Sequence, residues 1–192
     1  KIALNSAYGA IGNQYFRYYD VRQATAITSS GQFVIRNIEK KVNEYMNNIL
    51  ETEKQDYIVA SDTDSIYLKL DTFIEKTCKN KSTEQILTFL DKVVEQKIEP
   101  FIEKCFKDLA DYTNAFRQRM VMKREVIADK AIWTAKKRYM LHVLDEEGFR
   151  YEEPKMKIMG IEAVKSSTPE VCRGKIKEAI DIIMTKDNDT LI

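Results

Sequence analysis

The run Tyr57-Ile58-Val59-Ala60-Ser61-Asp62-Thr63-Asp64-Ser65-Ile66-Tyr67-Leu68-Lys69-Leu70 constrains the fold of this chain more than any other stretch. An apolar, β-branched run enters Asp-Thr-Asp. An alternating run leaves it, with Ile66, Leu68 and Leu70 on one face. The pattern predicts two short antiparallel strands with a turn near the aspartates. Asp is depleted in strands, so two of them at the centre of such a pattern need a reason. Residues i and i+2 of an extended chain point the same way, which would put Asp62 and Asp64 together at one end of a sheet. Like charges there raise each other's pKa unless a cation compensates, and hard divalent cations such as Mg²⁺ bind carboxylate oxygen. Asp is equally a favoured turn residue, so the stretch by itself leaves a metal site and ordinary turn chemistry both open.

The 192 residues suffice for one domain, or a domain and a half, that buries roughly 70% of its unfolded surface. A hydrophobic content of 44% beside 32% charged residues excludes a disordered chain and points to a soluble globular one. Cys78, Cys105 and Cys172 lie far apart without C-x-x-C spacing, which predicts a reducing compartment with neither disulfides nor structural zinc. His142 is the only histidine, so histidine-based triads and metal sites are nearly excluded. No apolar run approaches a membrane span and no stretch reads as a signal peptide. The chain starts at Lys1 in a pattern that is already helical, so the expectation is a piece of something longer.

Residues 1–9 read as a helix end with Gly9 as C-cap. Ile27, Val34, Ile35, Ile38, Val42, Tyr45, Met46 and Ile49 recur at helical spacing, interrupted by Gly31. Residues 83–112 form a second helical stretch, where Pro100 predicts a kink or a break. From 118 to 165 the pattern turns to strands. One is expected over Met120–Ile127, others over Ile132–Ala135, Tyr139–Leu144 and Arg150–Glu152, and a short extended piece over Lys157–Glu162. Asp145-Glu146-Glu147-Gly148 reads as a turn. Thr168 reads as the N-cap and Pro169 as the first residue of a closing helix. The predicted class is α+β: a mostly antiparallel sheet, with a hairpin carrying Asp-Thr-Asp, backed by long helices.

The net charge of +1 says little, but its distribution says more. Between Arg117 and Tyr139 stand eight basic residues, Arg117, Arg119, Lys123, Arg124, Lys130, Lys136, Lys137 and Arg138, against Glu125 and Asp129. With Trp133 and Tyr139 interleaved, the stretch suits a polyanion that carries stackable bases. A solvated charged face is the commoner meaning of such a run.

Together these stretches resemble the polymerase core of family B DNA-directed DNA polymerases, most closely the replicative enzymes of T-even-type phages. Lys1 to Gly9 match the fingers-helix pattern K-x-x-x-N-S-x-Y-G, and Asp62-Thr63-Asp64-Ser65 matches the palm motif D-T-D-S. Lys123-Arg124-Glu125 resembles K-x-E, and Lys136-Lys137-Arg138-Tyr139 matches K-K-R-Y. Lys157 to Glu162, followed by Ser166-Ser167-Thr168-Pro169, is similar to the palm-to-thumb junction.

The resemblance implies the end of a fingers helix and a loop over 1–20, a palm over 21–165 and the start of a thumb over 166–192. It implies template-dependent nucleotidyl transfer to a primer 3′-OH with two Mg²⁺ ions, for which Mn²⁺ can substitute. Asp62 and Asp64 would be the catalytic carboxylates, with Asp64 the direct metal ligand and Asp62 and Glu125 supporting ones. Lys1 and Asn5 would contact the incoming deoxynucleoside triphosphate, and Tyr8 and Gly9 would line the pocket for the new base pair. Lys136, Lys137, Arg138 and Tyr139 would reach the primer–template. The family's first metal-binding aspartate lies in an upstream D-x-x-S-L-Y-P motif that these residues lack. The implied partners are therefore primer–template DNA, the nucleotide, an upstream polymerase segment and, in the full enzyme, a sliding clamp, with no membrane and with the host cytoplasm as the place of action. The alternative is a palm-derived module that binds primer–template without chemistry.

Overall fold

The computed structural model describes residues 2–79 and 81–186. The chain divides into two compact units, Lys1–Ser82 with Glu95–Met122, and Thr83–Val94 with Lys123–Ile192. Among the described residues it is an α+β fold with two antiparallel sheets, one of two strands and one of three.

The first unit is built on helix α2 (Val21–Leu50). Asp20 caps its start, accepting the Arg22 amide at 2.9 Å. Glu51 closes it in the left-handed region at φ 52°. Ile38, Val42, Met46 and Leu50 recur every four residues and are all buried. Facing residues come from helix α5 (Glu99–Tyr112), with Ile102, Cys105, Phe106 and Leu109 buried and Phe101 stacked on Tyr45 at 4.0 Å between ring centroids. Burial of its thiol pushes the pKa of Cys105 up. Helix α1 (Ile2–Ile11) precedes α2, and the short helix α3 (Asp71–Thr77) follows the hairpin β1 (Ile58–Asp62) and β2 (Ser65–Leu68).

The loop between α2 and β1 is tied down by two asparagines. Asn43 Oδ1 accepts the Tyr57 amide at 2.8 Å, and its Nδ2 donates to Asp56 at 2.8 Å. Asn47 accepts the Gln55 amide at 2.9 Å and donates to the Gln55 carbonyl at 2.7 Å. Strand β1 therefore leaves the helix in a fixed direction, with Tyr57 buried at its root.

In the second unit β3 (Val126–Ala135), β4 (Arg138–Glu146) and β5 (Phe149–Met159) form an antiparallel meander in the order β3-β4-β5. Met140, Ile161, Ala163, Ile180 and Met184 form its core, with Ile132, Met156, Ile158 and Ile176 packed against them. Helix α6 (Glu170–Thr185) supplies part of that core, and helix α4 (Thr83–Val93) belongs to the same unit.

Several local expectations are corrected. Helix α1 runs through Gly9 to Ile11, so Gly9 is not a C-cap. Gly31 does not interrupt the helix, which runs through it from Val21 to Leu50, and a Cβ there would meet open space. The residues before Val126 are not strand, and the two strands expected between Met120 and Ala135 are one strand beginning at Val126. Strand β5 runs unbroken from Phe149 to Met159, because residues 151–154 bulge out opposite Leu144 and a bulge tolerates Pro154. The break expected at Pro100 is a π-helical turn, Val94–Ile98, just before it. Pro169, extended at ψ 144°, takes the N-cap position expected for Thr168.

Candidate catalytic hairpin and nucleic-acid surface

Strands β1 and β2 pair from Ile58↔Leu68 to Asp62↔Ser65, with an irregularity between Ile58 and Ala60. Thr63 and Asp64 alone make the turn. Thr63 stands at φ 53°, a conformation that a β-branched residue adopts at a cost of about 1–3 kcal/mol. The Asp64 amide folds back onto the Asp62 carbonyl at 2.6 Å, and Ser65 Oγ donates to that carbonyl at 3.1 Å. Thr63 Oγ1 donates to Asp62 Oδ1 at 3.0 Å, so the hydroxyl orients the half-buried carboxylate while Asp64 stands exposed. The extended i, i+2 geometry expected for the two aspartates does not hold, because Asp62 ends a strand and Asp64 lies past the left-handed Thr63.

The donor chemistry of this turn suits a hard divalent cation. The number of donors is small. Among the described residues, no group of three or more histidine, cysteine or acidic side chains is gathered for a metal. Asp62 and Asp64 belong to the first unit, and Glu125 to the second.

Tyr8 and Gly9 follow Asn5 by three and four residues on α1, one helical turn on, all three exposed on a helix without a buried residue. A Cβ on Gly9 would meet nothing within 4 Å, so the helix presents bare backbone there. Lys1 lies outside the described residues.

Lys136 and Lys137 form the exposed turn between β3 and β4, with Lys137 at φ 62°. Arg138 opens β4 and pairs with Glu162 at 3.5 Å. Lys165 hydrogen-bonds Glu162 at 2.7 Å and is the main cause of its lowered pKa. Tyr139 is half-buried, opposite Trp133, with ring centroids 6.4 Å apart. Gly160, at φ 67°, lets the chain after β5 pass against the Lys137 carbonyl. Lys136, Lys137, Arg138 and Tyr139 are thus brought together on one hairpin.

Glu125 is exposed and sits 3.7 Å from Lys157. Lys157 also donates to Glu146 at 2.8 Å. That bond, with others from Lys155 and the Tyr151 hydroxyl, lowers the Glu146 pKa to about 2.

Sequence reasoning missed one cluster. Asp145, read as a turn residue, is wholly buried and paired with Arg124. Arg124 also meets Asp91 of α4 at 2.9 Å, and Arg150 donates to Asp91 at 3.0 Å. The parity of β4 carried the signal, since Leu141, Val143 and Asp145 share one face and the first two are core. No described helix is long and apolar enough to cross a membrane.

No protein-family model matches the chain. It is 46% identical over 190 residues to the DNA-directed DNA polymerase of Escherichia phage RB69, an alignment covering 94% of this chain and 21% of that protein. It is 42% identical over 201 residues to the DNA-directed DNA polymerase of Enterobacteria phage T4, covering 100% of this chain and 22% of that protein. The chain spans about a fifth of the length of the curated relatives it matches. At this identity, along almost all of its residues, the chain is homologous to a segment of these T-even-type phage DNA-directed DNA polymerases.

Proposed function

We propose that the chain is the palm segment of a DNA-directed DNA polymerase, with the end of a fingers helix over 1–20 and the start of a thumb over 166–192. The observation that carries this reading is the homology, combined with Asp-Thr-Asp at the tip of a β-hairpin, Asp62 ending β1 and Thr63-Asp64 making the turn. The substrates are a primer–template and a deoxynucleoside triphosphate, and the place of action is the host cytoplasm.

Asp64 holds a metal directly, and Asp62 supports it from the strand end, oriented by Thr63. Two Mg²⁺ ions held there would activate the primer 3′-OH and neutralise the triphosphate. Asn5 offers an amide to the triphosphate, Lys1 adds a positive charge for it, and Tyr8 and Gly9 flank the new base pair. Lys136, Lys137 and Arg138 hold the duplex. Contact in the minor groove, where nearly every base pair offers acceptors, would test pairing without reading sequence. Glu125 supplies a supporting carboxylate.

Two carboxylates at one hairpin tip are few ligands for two ions, so the remaining aspartate is assigned to an upstream segment. The test is primer extension with Mg²⁺ and then Mn²⁺, by this chain alone and by the chain mixed with the upstream part of a phage relative. Extension only in the mixture is the expected result. Extension by the chain alone would remove the need for an upstream aspartate. Duplex binding without extension in either would favour the alternative, a binding module without chemistry.

A further inference from the structure

Arg124 stands between Lys123 and Glu125 on a segment that is neither helix nor strand. Along this extended segment exposure alternates: Lys123 and Glu125 face outward and Arg124 turns in. Its guanidinium meets Asp145, which is 0% exposed, and Asp91 at 2.9 Å. The same Asp145 oxygen accepts the Gly148 amide at 3.0 Å, which fixes the turn between β4 and β5. The neighbouring amide in that turn, of Glu147, donates to the Glu125 carbonyl at 2.6 Å. One buried carboxylate therefore holds both the side chain before Glu125 and the turn that grips Glu125's own backbone. Arg150 completes the set, 3.0 Å from Asp91 and 3.8 Å from the second Asp145 oxygen.

Buried ion pairs seldom stabilise a fold more than apolar side chains of the same size, so stability alone is a weak reason for four charges here. Their geometry does something else: it removes the freedom of a segment that is neither helix nor strand. We propose that Arg124 is a positioning residue, whose pairing with Asp145 and Asp91 fixes where Glu125 presents its carboxylate. The proposal rests on the reading of Glu125 as a supporting carboxylate of the polymerase site.

The test uses Arg124→Lys, Arg124→Met, Asp145→Asn and Glu125→Gln in the 192-residue chain. Amide hydrogen exchange at Glu147 reads the anchoring without any chemistry. Arg124→Met should speed it about tenfold or more, and Arg124→Lys by less. In the reconstituted extension assay Arg124→Met should raise the half-saturating Mg²⁺ concentration by about 10–100-fold, the usual effect of losing a group that orients a metal ligand. Adding Glu125→Gln should then cost little more, since both changes remove one function. Unchanged Glu147 exchange, or fully additive losses, would overturn the proposal. If Glu147 exchange responds but Glu125→Gln leaves extension intact, the anchoring holds, Glu125 leaves the catalytic reading, and the positioning role falls with it. Asp145→Asn keeps the side-chain shape, so a similar response there shows that Arg124→Met acts through the pair and not through misfolding.

Discussion

A Cβ on Gly160 would lie 2.1 Å from the carbonyl oxygen of Lys137. The turn that carries Lys136 and Lys137 is therefore held against the backbone that follows β5. Gly160→Ala must move one of two main chains and also strain a residue at φ 67°. We expect a loss of roughly 3 kcal/mol in urea unfolding, with weaker duplex binding. Gly148→Ala, at φ 88° but in open space, should cost only about 1–2 kcal/mol from backbone strain and leave binding alone.

Removing Asp145 should rank among the most damaging single changes in the second unit. Asp145→Ala leaves Arg124, with 17% of its side chain exposed, without its buried partner. Breaking a buried pair on one side costs about 3–5 kcal/mol. Arg150 is a third exposed and Asp91 remains, so the lower end is expected, and Asp145→Asn should cost about half as much. Equilibrium urea unfolding of the three proteins checks the order.

Glu146 gives the second unit an acid-sensitive element. Its pKa falls from 4.5 to about 2 because Lys157, Lys155 and Tyr151 bond its charged form. A lowered carboxylate pKa stabilises the fold above the unfolded value and loses that effect as pH falls through the folded one. The urea midpoints of the wild-type chain and Glu146→Gln should therefore differ above about pH 5 and converge between 4.5 and 2. Convergence is also expected in 1 M salt, where exposed pairs are screened. A constant difference down to pH 2 would detach Glu146 from its lysines.

The basic hairpin predicts a salt effect. Each phosphate contact contributes about 0.9 to the slope of log affinity against log salt on duplex DNA. Neutralising Lys136, Lys137 and Arg138 together should flatten that slope by up to about 2.7 units. Fluorescence anisotropy of labelled primer–template across a salt series measures it. An unchanged slope would take this hairpin out of the DNA interface.

How much of this was written in the chain depends on distance along it. The hairpin around Asp62 and Asp64 was legible because alternating apolar residues and a turn-forming centre are local features. The turn itself was not: extended geometry set the two aspartates side by side, whereas Thr63 twists into the left-handed region between them. Helix α2 followed from its apolar spacing, but its α6 counterpart started a residue later than a Thr-Pro cap predicts. The cluster under Glu125 joins residues 21 and 59 positions apart, which no local pattern encodes. Asp145 looked like a turn residue because it stands before Glu146-Glu147-Gly148, yet it sits on the buried face of β4. The roles proposed for Asn5, Tyr8 and Gly9 came through family resemblance, whereas Lys136, Lys137 and Arg138 already stood out as part of a basic run with interleaved aromatics. Exposure and spacing alone would have left the α1 residues as surface.

The most direct test of the central reading is Asp64→Ala in primer extension by the chain mixed with the upstream polymerase segment. Loss of a metal-holding carboxylate should cut extension by more than about 100-fold, with duplex binding and the urea midpoint nearly unchanged, since Asp64 is exposed in a turn. Extension at the wild-type rate would contradict the assignment of Asp64 to the metal and of this hairpin to the chemistry.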